Sequence, residues 1–138
     1  MEFETTDSTA EYLSRFYEPK VTAYEFLKYF FAYLRKSGVD EVDRDLEDFL
    51  YKQKQSELTR DVLEEINFRS NGVRYYSDNV EDALFNLQNG GLLGKMNPSF
   101  GILIIKYSEN DAQRIIDSIP PEYRVVIKQI ADAYGGNS

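Results

Sequence analysis

The chain has no cysteine and no histidine in 138 residues. Without thiols, a disulfide framework, a thiolate metal site and a cysteine nucleophile are excluded. Without imidazoles, so are the usual general base near neutral pH, the commonest transition-metal ligand and any histidine-based triad. Tryptophan is absent and proline occurs four times. No apolar run approaches the ~20 residues that a membrane helix needs. The opening MEFETTDSTAEY has neither a basic n-region nor an apolar h-region. The expectation is therefore a cytoplasmic protein with no secretory signal and no membrane partner. Positive charge is also scarce: 16 Lys and Arg stand against 24 Asp and Glu, for a net charge of −8. That balance favours solubility and makes nucleic acid an unfavoured default partner.

What remains is enough for a folded protein. Hydrophobic residues make up 42% and charged residues 29%, and the length suits one ordinary domain with a real core. The sequence predicts a single domain over 1–138, with residues 1–8 as a frayed tail. Tyr12, Leu13, Phe16 and Tyr17 form the apolar side of a first short helix, closed by Pro19. Thr22 and Glu25 form a capping-box pattern, opening a helix that runs to about Ser37 and stops at Gly38. Its aromatic load is heavy. Leu27, Phe30, Phe31 and Leu34 make an apolar stripe, widened by Tyr24, Phe26, Tyr29 and Tyr33. An arc this wide predicts the central helix of the domain. The alternative is an interface with a partner or a second copy, for which Tyr29 and Tyr33 are the candidate residues.

Helices are next predicted over Asp43–Gln55, with Leu46, Phe49 and Leu50 on one face, and over Glu57–Asn67, with Leu58, Val62, Leu63 and Ile66. Phe68–Ser77 reads as a loop turning at Asn71-Gly72, with a short strand at Val73–Tyr76. Ser77 or Asp78 caps a helix carrying Val80, Ala83, Leu84 and Leu87 at helical spacing. Asn89-Gly90-Gly91 ends it. Leu92 and Leu93 begin a strand, Met96–Ser99 turns, and Phe100–Tyr107 is the one strong β run. Ser108 caps a helix with Ala112, Ile115, Ile116 and Ile119 inward. Pro121 enters the first turn of a last helix that ends at Gly135. The predicted fold class is mainly α with a small β-hairpin.

The pattern Ala83-Leu84-x-x-Leu87-x-x-x-Gly91-Leu92-Leu93-x-Lys95, followed by a turn and a strand, resembles the third helix and wing of a winged helix-turn-helix domain. The resemblance covers residues 43–107, leaves 109–134 as C-terminal helices, and implies that the two preceding helices pack under the third. It carries one departure. The face expected outward on that helix, Asn79, Glu81, Asp82, Asn86 and Gln88, has two carboxylates and no cation, which opposes the charge term in DNA affinity.

No motif predicts chemistry. Asn89–Lys95 holds glycines and a lysine, but they end a helix, whereas a phosphate loop begins one. Gly38–Asp43 is an acidic connection whose spacing departs from the calcium-loop pattern. No catalytic residue, cofactor site or metal site is predicted. The best local candidate for a binding surface is the loop bearing Arg69, Arg74, Tyr75 and Tyr76, where cations beside aromatics suit an anionic ligand or a nucleobase. The plain alternative folds the tyrosines onto the core and pairs the arginines with carboxylates such as Asp78. The functional expectation is a non-catalytic protein–protein interaction or regulatory module, from a bacterial or phage defence, antitoxin or counter-defence system. A protein partner is expected, with homodimerisation as one form of it. The alternatives are a DNA-binding transcriptional regulator, with Arg69, Arg74, Lys95 and Lys106 on one face, and an acidic decoy of a nucleic-acid-binding protein.

Overall fold

The computed structural model describes residues 21–42, 45–97 and 102–135. The capping box forms at Thr22, whose hydroxyl accepts the Glu25 N–H at 3.0 Å while the Glu25 carboxylate accepts the Thr22 N–H at 3.1 Å. These bonds satisfy backbone donors that the first turn leaves open and start α1 (Ala23–Lys36). The helix stops at Ser37, and Gly38 turns the chain at φ +94°, where a side chain would be strained.

Phe26, Leu27, Phe30, Phe31, Ala32 and Leu34 of α1 are all fully buried. They point in too many directions for one neighbour to cover. Three helices cover them together: α4 (Asp78–Asn89), α5 (Glu109–Ser118) and α6 (Pro121–Tyr134). The aromatic helix is therefore the centre of the core. Each such Phe or Leu contributes about 1.5–3 kcal/mol by leaving water. Phe30 stacks on Phe26 with ring centroids 5.6 Å apart and meets Tyr134 of α6 edge-on at 5.8 Å.

Between α1 and α4 the chain makes β1 (Glu41–Val42), α2 (Asp45–Lys54), one helical turn α3 (Glu57–Arg60), a 3₁₀ turn over Asp61–Leu63, and the strands β2 (Arg69–Ser70) and β3 (Tyr75–Tyr76). After α4 come β4 (Leu93–Asn97) and β5 (Ile102–Ile105). β5 lies between β1 and β4 in an antiparallel sheet, with Val42 opposite Leu103 and Leu93 opposite Ile105. Leu103 and Ile105 face the core, while Ile102 and Ile104 are half-covered, which is why the run is apolar on both faces. The Tyr107 hydroxyl, just past β5, donates to the Lys28 carbonyl of α1 at 2.9 Å, and the Arg35 Nε donates to the Tyr107 carbonyl at 2.9 Å. Burial holds the phenol well above its ordinary pKa. Tyr107→Phe is expected to cost about 1 kcal/mol, read as a lower urea midpoint at unchanged slope. An unchanged midpoint would show that this bond contributes nothing.

The structure corrects the sequence reading in two places. The helix expected over Glu57–Asn67 is a single turn followed by a 3₁₀ turn. Buried Thr59 donates its hydroxyl to the Gln53 and Ser56 carbonyls, and Ile66 donates its N–H to Leu63 at 3.0 Å. Such local bonds compete with the α-helical ladder, and the tighter path still buries Val62, Leu63 and Ile66. Second, the acidic connection after Gly38 contains a strand, β1. The fold is mainly helical with small antiparallel strand pairs, as expected, and among the described residues β2 and β3 form a second pair beside the β4–β5 hairpin. The frayed tail over 1–8, the first short helix, the start of a helix at Asp43 and the turn at Pro98-Ser99 lie outside the described residues. No described helix is long and apolar enough to cross a membrane.

Candidate interaction surface

The loop that carries the sequence candidates is a hairpin with a built turn. The Asn71 side-chain oxygen accepts N–H groups from Val73 at 2.9 Å and Arg74 at 3.0 Å, and Gly72 takes φ +89°. Arg69 then stands opposite Tyr76, and Ser70 opposite Tyr75.

Helix α2 fixes this hairpin through residues that sequence reasoning did not single out. Asp48 accepts the Tyr75 N–H at 2.7 Å and Glu47 accepts the Ser77 N–H at 2.6 Å. Tyr51 lies flat on Tyr75, with centroids 3.6 Å apart and planes 6° from parallel, and meets Phe68 edge-on at 5.6 Å. A hydrogen bond with Tyr75 holds the Tyr51 phenol above its ordinary pKa, and burial acts in the same direction. Glu47, Asp48 and Tyr51 fall on one side of a helical turn. Only that spacing signalled the stripe in the sequence.

The arginines are less free than a ligand site would want. Arg69 lies 5.1 Å from the centre of the Tyr76 ring and pairs with Asp78 at 3.1 Å. Arg74 is half-buried, close enough to Glu47 to act on its charge. Both tyrosines are half-buried. The plainer expectation thus describes Arg69, whose charge is answered by its neighbour.

Tyr29 and Tyr33 are not part of this cluster. Both lie half-buried on α1 and pack on the core. Burial raises the Tyr33 phenol pKa, against the pull of Arg124 and Lys128 of α6, and burial with Glu25 raises that of Tyr29. Among the described residues, no hydrogen bond, ion pair or ring contact joins either one to the hairpin.

Directly after the hairpin, α4 presents an outward face made mostly of carboxylates and amides. Ser77 caps it, its hydroxyl accepting the Val80 N–H, and Val80, Ala83, Leu84 and Leu87 turn inward. The outward stripe is Asp78, Glu81, Asp82, Phe85, Asn86 and Asn89, all exposed. This differs from the expected face. Asn79 is half-buried and accepts the Asn67 N–H at 3.0 Å, Gln88 is half-buried, and Phe85 joins the stripe at 61% exposure. Phe85 was detectable, because it falls off the helical spacing of its apolar neighbours.

Behind the stripe, the Glu47 carboxyl is bonded to that of Glu81. Burial, helped by this second carboxyl, pushes the Glu47 pKa up to about 8, against the opposing effects of the Ser77 N–H and Arg74. Two acids thus link α2 to the first turn of α4. Among the described residues, no group of three or more acidic side chains is arranged to hold a metal ion. No protein-family model, curated protein or solved structure matches this chain.

Proposed function

We propose that this chain is a non-catalytic protein–protein interaction module on a winged-helix-like scaffold. Support for the scaffold comes from α4 and the β4–β5 hairpin, in which a capped helix leads through a glycine turn into a wing; the helix packed on α4 is α1, outside the expected span 43–107, rather than the two helices expected under it. The short α3 is a second departure from the resemblance. One observation carries the functional reading: the outward face of α4 bears carboxylates, amides and one aromatic ring, and the helix contains no Lys or Arg. On a helix meant for a DNA groove, those carboxylates would face phosphates and lower affinity. Against a protein, the same face supplies polar rim groups around an apolar anchor. Bacterial and phage defence, antitoxin and counter-defence systems are where we would look for the partner, and the cytoplasm is the compartment proposed.

The test is purification of the tagged full chain from its native host, split into nuclease-treated and untreated halves. The expected result is a protein that stays bound after nuclease. Association lost with nuclease, or DNA recovered alone, would overturn the proposal in favour of a DNA-binding regulator.

A further inference from the structure

Tyr51 of α2 and Tyr75 of β3 lie face to face, with centroids 3.6 Å apart and planes 6° from parallel. Carbon atoms in contact sit about 3.5–4.0 Å apart, so the two rings overlap with little sideways offset. Aromatic pairs left to themselves prefer offset or edge-on geometry. This pair is held by its surroundings. Asp48, on the same helix as Tyr51, accepts the Tyr75 N–H at 2.7 Å, and Phe68 meets Tyr51 edge-on at 5.6 Å. The two phenols are also hydrogen-bonded to each other. That bond puts both oxygens at one end of the stack, and so lays the Cε carbons of one ring over those of the other. Composition adds a second condition. Cysteine and tryptophan, the side chains that would compete for a one-electron oxidant, are absent, while the chain has 11 tyrosines and two methionines. Methionine takes up an oxygen atom instead.

We propose that Tyr51 and Tyr75 form an oxidative modification site, at which a peroxide-driven one-electron oxidant joins the rings by a carbon–carbon bond and locks the β2–β3 hairpin to α2. Each phenol gives up one electron and its hydroxyl proton, which leaves unpaired spin on the Cε carbons. One Cε of each ring then combine in a new bond. The two Cε–H bonds at that junction break, and a proton returns to each oxygen. The net change is the loss of two hydrogen atoms, with one hydrogen peroxide reduced to two waters. Both rings are half-buried, so an oxidant reaches an exposed edge while the packing keeps the radicals together. Tyr76, next in the chain, points to the other side of the strand, where Arg69 lies 5.1 Å from its ring centre. The proposal is independent of the interaction-module reading.

The test treats the dilute full chain with hydrogen peroxide and a haem peroxidase, then digests it with trypsin for mass spectrometry. The expected product joins the peptide 45–52 to the peptide 75–95, lighter than their sum by two hydrogen atoms. Tyr51→Phe and Tyr75→Phe should each abolish it, because a phenyl ring has no hydroxyl proton to give up. Tyr76→Phe, which alters the other tyrosine on the same peptide, should leave it in place. The treated wild type should unfold at a higher urea midpoint than the untreated chain, since the link closes the loop from 51 to 75. Treated Tyr51→Phe should show no such rise. No linked peptide under conditions that couple free tyrosine, a link mapped to Tyr76, or a link found only between two chains would overturn the proposal. A linked chain with an unchanged midpoint would overturn the lock.

Discussion

Phe30→Ala is expected to destabilise the domain by about 3–5 kcal/mol. The Phe30 ring has no exposed surface. It touches Phe26 and Phe31 of its own helix at 5.6 and 5.4 Å, Phe49 of α2 at 6.4 Å and Tyr134 of α6 at 5.8 Å. Truncation removes the transfer term and leaves a cavity between three helices that cannot all close on it. The loss is a large share of the roughly 5–15 kcal/mol that holds an ordinary domain folded. Guanidinium unfolding should show a much lower midpoint at a similar slope. Phe85→Ala, on the same scale, should move the midpoint by no more than about 0.5 kcal/mol, as surface substitutions usually do. Equal losses at the two positions would contradict the burial described for α1.

The second large effect depends on pH. A free glutamate titrates near about pH 4.3, whereas the Glu47 carboxyl, half-buried against Glu81, titrates at about 8. The folded state therefore retains a proton that the unfolded chain has released. Stability drawn from this group is fully present at low pH, falls between about 4.5 and 8, and is gone above that window. Glu47→Gln keeps an oxygen for the Ser77 N–H and needs no proton. At pH 8 the variant should exceed wild type by about 1–2 kcal/mol, a figure reduced because part of the side chain still faces water. At pH 4.5 the two should coincide. Thermal unfolding across pH 4.5–8.5 reads the difference directly. A variant less stable than wild type at pH 8 would mean that Glu47 is ionised in the fold.

These two residues mark what the sequence made legible and what it did not. Phe30 could be placed because its neighbours Leu27, Phe31 and Leu34 repeat at helical spacing, and periodicity is a local property. Caps were legible for the same reason. Thr22, Ser77 and Ser108 each bond a backbone N–H three residues on, and Gly38 and Gly91 take positive φ where helices end. Glu47 could not be placed. Its environment is made by Glu81 and Ser77, which reach it only through the fold. Tyr51 is the same case, a ring that looked like one more aromatic until Tyr75 stacked on it. β1 has two residues, too few to show any period, and is a strand only because β5 runs beside it. Within the candidate surface, the Asn71-Gly72 turn and the Arg69–Asp78 pair were anticipated. The α2 carboxylates that hold the hairpin were not, and Tyr29 and Tyr33 lie half-buried against the core, apart from the hairpin.

The position of α1 also bears on how the chain is made. The helix with the most buried aromatic surface is translated before every helix that covers it. α4 begins at Asp78, α5 at Glu109 and α6 at Pro121. While a ribosome adds those residues at about 5–20 per second, Phe26, Phe30 and Phe31 are outside the tunnel with their covers still to come. The interval lasts seconds, far longer than a helix needs to form. Until those covers arrive, the aromatic side chains of α1 have no core to enter, and a lone helix of this length is only marginally stable in water.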